Sequence, residues 1–271
     1  GLLQTLQSAG HTAYVVGGCV RDSLLGRTPG DWDICTSARP EEMRRLFADH
    51  QLILTGEKHG TVAVVLHGKP YEMTTYRLDG DYHDHRHPDA VQFVDDLPRD
   101  LARRDFTINA MAYNEKEGLV DPFGGQADLQ SGIVRAVGVP RQRFTEDALR
   151  ILRLYRFAAR FGFAIDPPTA QAAQELCAHL DCVSVERIEE ELAKLLSAPA
   201  PAAYLDKKIL LVILPELSSE ALAAAKPVVD ACPAGEQALP VRLAALLLSL
   251  GEDGTRRTLR RLRCSNACIE E

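Results

Sequence analysis

The sequence predicts an α+β protein, a mixed α/β head followed by an all-helical neck and body. Three observations carry this. Short apolar runs such as Tyr14-Val15-Val16 and Thr61–Leu66 alternate with helical patterns through about residue 137. From about residue 145 the pattern becomes helical and stays so. Pro201, Pro215 and Pro240 punctuate that second half. The expected domains are a head over 1–137, a neck over 138–200 and a body over 201–271, with no internal repeat.

Taken in order, Tyr14-Val15-Val16 reads as a buried strand running into Gly17-Gly18. Val20–Leu25 reads as a helix closed by Gly26, and Trp32–Thr36 as the next strand. Pro40–Phe47 is an amphipathic helix with Pro40 in its first turn. Thr61–Leu66 and Tyr71–Tyr76 form a hairpin across His67-Gly68-Lys69-Pro70. Residues 79–90 are polar and turn-rich and read as a mobile loop. Asn109–Tyr113 is apolar enough to pack beneath the sheet, and Asp121-Pro122-Phe123-Gly124-Gly125 is a closing turn. Thr145 can cap a helix through Arg160, with Glu146 and Asp147 in its first turn and Gly162 and Pro167-Pro168 as its stops. Thr169–Leu180, Val185–Leu196 and Ala202–Ile213 follow as helices, and the Ala-rich stretch near 220–226 reads as helix rather than linker.

Apolar content of 46% and charge of 25% are ordinary for a soluble globular chain of 271 residues. A net charge of −7 gives no global signature of nucleic-acid binding, so any such contact must be local. No apolar run is long enough to span a membrane and no secretory signal is evident. Seven irregularly spaced cysteines suggest a reducing cytosol. Cys177/Cys182 and Cys264/Cys268 lack the partners a zinc site needs. The chain starts at Gly1 and stops at Cys268-Ile-Glu-Glu without a cap signal, which reads as a fragment missing C-terminal sequence.

The sharpest chemistry is Asp31-Trp32-Asp33 behind Gly17-Gly18 and Arg21. A strand puts residues two apart on one face, so both carboxylates can point the same way. Adjacent carboxylates repel, and they stay ionised when a divalent cation sits between them and a triphosphate. A tight Gly-Gly turn lets backbone N–H groups approach phosphate oxygens. Turn, basic residue and Asp-x-Asp are what metal-dependent nucleotidyl transfer needs. The alternative is a solvated acidic turn.

Four strings in order settle the comparison. Gly17-Gly18-Cys19-Val20-Arg21-Asp22 with Leu25-Gly26 and Asp31-x-Asp33 comes first. Arg103-Arg104-Asp105-Phe106-Thr107-Ile108-Asn109-Ala110-Met111-Ala112 is second. Asp121-Pro122-x-Gly124-Gly125 and Glu146-Asp147-Ala148-Leu149-Arg150-Ile151-Leu152-Arg153 complete the series. Over residues 12–200 this resembles the polymerase-β-like nucleotidyltransferases that include class II tRNA nucleotidyltransferases (CCA-adding enzymes) and bacterial poly(A) polymerases.

The resemblance implies a cytoplasmic transferase that adds C, C and A to tRNA 3′ ends from CTP and ATP. It implies Mg2+ held by Asp31 and Asp33 as the catalytic pair, and no membrane or obligate protein partner. Glu72 is the candidate third carboxylate, or else a surface strand residue. Gly18 and Arg21 would contact the triphosphate, with an Arg21–Asp22 ion pair as the alternative. Arg104 resembles the family's nucleotide-binding arginine, Asp105 its ribose-side partner, and Asn109 an orienting residue. Asp147 and Arg150, three apart on a helix, would copy the Watson–Crick edge of a partner base. A carboxylate accepts from the amino group of cytosine or adenine, and a guanidinium donates to the neighbouring acceptor; uracil and guanine present the reverse. The alternative is a surface ion pair. Arg153 and Arg156 line the nucleotide site in the family, although steps of three residues drift around a helix.

The loop Gly80-Asp81-Tyr82-His83-Asp84-His85-Arg86-His87-Pro88 is similar to the family's flexible loop rather than a zinc site. Its apparent completeness favours full CCA addition over CC-only addition. Arg256–Arg263 is a dense basic run that either meets the RNA backbone or is solvated, with Leu259 and Leu262 turned inward. The rivals are a poly(A) polymerase, a partial CC- or A-adding enzyme, and an RNA-binding module with an inactive head.

Overall fold

The computed structural model describes residues 1–79 and 91–270; the loop expected over 79–90 therefore lies, apart from Asp79, outside the described residues. The chain forms two compact units. Among the described residues, one holds 1–79, 91–131 and 135–138, and the other holds 132–134 and 139–270.

The first unit is built on a seven-stranded sheet. Its strands are β1 (Ala13–Val16), β2 (Asp33–Thr36), β3 (Gln51–Ile53), β4 (Thr61–Leu66), β5 (Lys69–Thr75), β8 (Ala112–Asn114) and β9 (Gly118–Val120). The order is β3-β4-β5-β2-β1-β8-β9. Only β2 and β5 run parallel, with Ile34 opposite Met73. Between β5 and β8 the chain makes a separate antiparallel ribbon of β6 (Arg77–Asp79) and β7 (Val91–Phe93).

Alternation along the strands sorts two cores. Tyr14, Val16, Cys35 and Ala112 face one side and pack with Tyr76, Leu97, Leu101 and Val137. Ala13, Ile34, Val62, Val64 and Met73 face the other and pack with Leu6, Met43 and Phe47. Those last three lie on or beside α1 (Leu2–Ser8) and α3 (Pro40–Leu46). Pro40 opens α3 as expected, and Glu42 accepts from the Arg39 backbone N–H (2.7 Å).

Several expectations for this unit change, among them the hairpin turn, which is shorter than expected because Lys69 and Pro70 already pair with Leu66 and Val65. The second strand begins at Asp33, not Trp32, so Asp31 precedes it. Asp33 pairs with Val16, the last residue of β1 before the chain turns at Gly17, which leaves no ladder partner there for Trp32. Asn109–Tyr113 packs beneath the sheet only in part: Ala110 joins the core beside Tyr14 and Val16, but the end of the segment is itself a strand. After a 3-10 turn over Thr107–Asn109 the chain enters the sheet as β8, antiparallel to β1. The turn at Asp121–Gly125 does not close the unit; the Asp121 carboxylate accepts from the N–H groups of Gly125 and Gln126 (2.7 and 2.8 Å) and starts α5 (Gly125–Ser131). Gly124 has φ +73 and open space around its missing side chain, whereas a Cβ on Gly125 would lie 2.2 Å from the Thr107 carbonyl oxygen. The helix after Gly17 runs Gly18–Leu24 and is α2. Leu97–Ala102 forms α4.

The second unit is helical apart from the two-residue strands β10 (Ile133–Val134) and β11 (Ala164–Ile165), which pair in parallel. The single helix expected from Thr145 to Arg160 is instead two, α6 (Pro140–Glu146) and α7 (Leu149–Phe161). Pro140 sets an earlier start, and Thr145 donates its hydroxyl to the Arg141 carbonyl inside α6 (2.8 Å). Asp147 leaves the helical region (φ −142, ψ 104), and its carboxylate takes the Leu149 N–H (3.1 Å). Short acidic side chains favour such breaks because they offer the backbone a local partner.

Gly162 ends α7 as expected. Pro167-Pro168 starts a helix as well as marking a stop: Asp166 accepts from the Thr169 N–H (3.1 Å) and hydroxyl (2.7 Å) at the start of α8 (Pro167–Leu176). The helix expected to Leu180 gives way to a 3-10 turn over Cys177–Cys182. Then come α9 (Val185–Leu196), α10 (Lys207–Ile213), α11 (Ser219–Ala231), α12 (Leu239–Leu247), α13 (Gly251–Arg261) and α14 (Asn266–Glu270). Ala202–Tyr204 is a separate 3-10 turn, so α10 is shorter than expected. Among the described residues no helix is long and apolar enough to cross a membrane.

Candidate active site

In the first unit the candidate residues collect where β1 and β2 meet α2. Register places Glu72 of β5 across from Asp33 of β2, on the side of the sheet that carries Val16 and Cys35. The Asp33 carboxyl is held above the usual carboxylate range, first by withdrawal from water and then by repulsion from Glu72; Arg104 opposes this and Asp31 adds to it. Asp31, Asp33, Glu72 and Arg104 thus share one electrostatic environment. Asp31 belongs to the approach loop, so the pair does not share the face of one strand.

Gly17 takes φ +78, a conformation that suits glycine, and a Cβ there would come within 3.2 Å of an Arg104 Nη atom. Both constraints keep this turn bare, with Arg104 directly against it. Arg104 donates to Asp100 (3.2 Å), while its buried Nε has no hydrogen-bond acceptor among the described residues.

Arg21 is only 4% exposed. It pairs with Asp22 (2.8 Å), the alternative weighed for it, and donates to Asn109 Oδ1 (2.5 Å). Asn109 in turn donates to Asp105 Oδ1 (3.0 Å), which also accepts the Phe106 N–H (2.7 Å). Asp105, expected on the ribose side, is buried within this chain of contacts, and Asn109 has the orienting position expected of it.

Sequence reasoning missed Asp100. It is 0% exposed and accepts from Arg103 Nε and Nη2 (3.0 and 2.9 Å), from Arg104, and from the Arg77 N–H (3.2 Å). Burial alone would raise its carboxyl; the Arg103 and Arg104 charges outweigh that and hold it below the ordinary value. The spacing of three and four residues was the available signal.

In the second unit Asp147 and Arg150 do not form the expected pair across one helix. Asp147 occupies the break before α7, where its Oδ2 accepts from Arg187 of α9 (2.8 Å). Arg150 lies in the first turn of α7 and donates to Glu146 (2.8 Å), which also accepts from Arg143 (2.5 Å). Arg153 and Arg156 share one partner, Glu191 of α9, at 3.7 and 2.5 Å. Arg156 is buried and stacked over the Phe157 ring at 3.9 Å. Arg187 and Glu191 were not singled out from sequence; they come from a separate helix, a link with no local signature.

The basic run is partly neutralised. Arg256 pairs with Glu252 (3.3 Å), Arg261 with Glu216 (2.6 Å) and Arg263 with Glu186, while Leu259 and Leu262 are buried as expected. All seven cysteines are free thiols. Among the described residues no group of three or more His, Cys, Asp or Glu side chains is arranged to hold a metal ion.

Residues 13–135 match the family model described as a poly(A) polymerase head domain, and residues 162–220 match that of a probable RNA- and SrmB-binding site of polymerase A. A CCA-adding enzyme of Geobacillus stearothermophilus is 49% identical over 205 residues, 76% of this chain and 50% of the relative. One from Lactiplantibacillus plantarum is 48% identical over 204 residues, 75% of this chain and 50% of the relative. The chain spans about half the length of these curated relatives. Among solved structures, the Bacillus stearothermophilus CCA-adding enzyme in complex with CTP superposes with a TM-score of 0.84 at 39% identity, covering 100% of this chain and 66% of the other. The Thermotoga maritima CCA-adding enzyme complexed with tRNA gives a TM-score of 0.75 at 25% identity, covering 99% and 65%.

Proposed function

Since this chain belongs to the family of CCA-adding enzymes and bacterial poly(A) polymerases, we propose that it adds C, C and A to tRNA 3′ ends from CTP and ATP, releasing pyrophosphate. The observation that carries this is the meeting of Asp31, Asp33 and Glu72 with Arg104 beside the bare Gly17 turn. In this reading residues 1–137 are the catalytic head, 138–200 the nucleotide-choosing neck and 201–271 a helical body, in the cytoplasm.

Magnesium fits the donor set. Carboxylate oxygens are hard ligands, and Mg2+ is commonly held by one or two carboxylates with phosphate and water completing its shell. The Asp33 carboxyl is raised first by withdrawal from water and then by repulsion from Glu72 and Asp31, and a bound cation would offset that repulsion. Asp31 and Asp33 would hold it, and Glu72 adds negative charge beside Asp33 without completing a three-carboxylate cage. When bound, the cation assists the attacking 3′-hydroxyl and neutralises the departing pyrophosphate.

The protein's own groups do the rest. Gly18 offers backbone to the triphosphate, and Arg104 brings positive charge with an unmatched Nε donor. Arg21 acts from beneath the turn, fixing it through Asn109. Asp147 and Arg150 read the base edge from either side of a helix start, with Arg153 and Arg156 along the next turns. A carboxylate selects the amino groups of cytosine and adenine, so nucleotide choice needs no nucleic-acid template.

The test is extension of a tRNA transcript lacking its 3′ CCA, with magnesium and CTP, ATP or both. Three residues added only with both nucleotides, then a stop, supports the proposal. A long A-tail from ATP alone would make this a poly(A) polymerase, and two residues from CTP with no A would make it a CC-adding enzyme. Asp31→Ala should abolish addition of every nucleotide with tRNA binding largely intact; equal loss of both would count against its metal role.

A further inference from the structure

We propose that Arg187 is the positioning residue that sets nucleotide choice, by fixing the carboxylate of Asp147. The inference rests on the reading of Asp147 as a base reader and names what makes that reader selective.

Asp147 lies outside both flanking helices, in extended backbone between α6 and α7. Two donors aim its side chain. The Leu149 N–H takes Oδ1 (3.1 Å), and the Arg187 guanidinium takes Oδ2 (2.8 Å). An ionised carboxylate has about four acceptor sites, so two remain for the amino group of a base. A carboxylate held from both oxygens presents those sites in one direction. Released from Arg187, it can turn, and an acceptor that turns no longer separates an amino group from a carbonyl.

The helix that carries Arg187 has a second tie to α7. Arg187 lies four residues before Glu191 on α9, so the two share a helix face. Glu191 accepts from Arg156 (2.5 Å) and lies 3.7 Å from Arg153. One helix therefore meets the break before α7 through a cation and the middle of α7 through an anion. Two ionic ties one turn apart restrain rotation of α9 and place the Arg187 guanidinium where Asp147 needs it.

The experiment compares Arg187→Ala, Arg187→Lys, Asp147→Ala and the double variant Asp147→Ala/Arg187→Ala. The reading is the ratio of kcat/KM for CTP over UTP on tRNA lacking its 3′ CCA, with thermal unfolding followed in parallel. The expected result is a ratio lowered about tenfold or more in Arg187→Ala, partly restored by Lys, and no lower in the double variant than in Asp147→Ala. A ratio within about twofold of the parent in Arg187→Ala, with Asp147→Ala degraded, overturns the positioning role and leaves base reading intact. Slower addition of both nucleotides with an unchanged ratio also overturns it, because that is what a purely structural residue would give. Parent selectivity in Asp147→Ala removes base reading by Asp147 and this inference with it. If Arg187→Ala does not fold, the Lys variant decides: undiminished selectivity there with its donor displaced overturns the proposal, and a lowered ratio supports it.

Discussion

Arg21 and Asn109 are joined by a 2.5 Å hydrogen bond across 88 positions of sequence. It ties the helix after the Gly17-Gly18 turn to the segment that carries Arg103, Arg104 and Asp105. The two segments are thereby held together by one amide, which accepts from Arg21 and donates to Asp105.

Replacing Asn109 by Leu should therefore destabilise the first unit and slow the addition of C and A alike. The lost bonds involve charged partners in a buried site, which corresponds to about 2–4 kcal/mol. Urea unfolding measures the first effect, and single-nucleotide extension with CTP and ATP the second. A variant that lost only A addition would show that Asn109 touches the base instead.

Asp33 should carry a stability penalty in the protein without metal. Its folded-state pKa is raised, so over the interval between the unfolded and folded values the native state binds more protons. Its contribution therefore becomes less favourable as pH rises through that interval. Asp33→Asn should raise the melting temperature at neutral pH in chelator, lose that advantage at acid pH below the ordinary carboxylate range, and abolish nucleotide addition. A variant less stable at neutral pH would contradict the raised Asp33 carboxyl that burial and the neighbouring carboxylates produce.

Asp100 has the opposite sign. Its lowered pKa contributes stability above the unfolded value, and that stability is lost as pH falls through the folded value. Asp100→Asn keeps the shape and removes the charge facing Arg103 and Arg104. Breaking such a buried pair costs about 3–5 kcal/mol. Chemical denaturation at neutral and acid pH should show the deficit shrinking as the parent carboxylate is protonated.

Arg242 of α12 is 0% exposed and donates to backbone carbonyls alone among the contacts described: Leu196 and Ala198, then Pro199 (3.4 Å) and Cys232 (3.2 Å). It fastens the C-terminal end of α9 to the end of α11. Positive charge is favourable at a helix C-terminus. Arg242→Met leaves several carbonyls without their donor and should lower stability by about 2–4 kcal/mol. Calorimetry of the parent and variant reads this directly.

The sequence made β1, β2, β4 and β5 legible because each is a longer run of apolar or alternating residues, whereas β3, β8 and β9 are three-residue strands with too little pattern to read. Glu72, offered by the sequence as a candidate carboxylate, lies on β5, whose parallel register with β2 brings it beside Asp33. The errors arose where one local preference overrode another. Pro140 moved a helix start upstream of Thr145, and Asp147 broke the continuity that its spacing to Arg150 assumed. The end of β1 at Gly17 deprived Trp32 of a ladder partner, so strand periodicity did not apply to Asp31. Arg187 and Glu191 were invisible for a different reason: their partners lie on another helix, and such pairing is decided by how α7 packs on α9.

The neighbouring residues Gly124 and Gly125 look interchangeable on paper, yet different physics restricts each. At Gly124 the restriction is one of backbone handedness, which asparagine tolerates better than other residues with a side chain. At Gly125 it is one of volume, since any side chain would overlap the Thr107 carbonyl. A library randomised at both positions and selected for folding should return asparagine beside glycine at the first and glycine alone at the second. Two letters that read as a repeat would then diverge under selection.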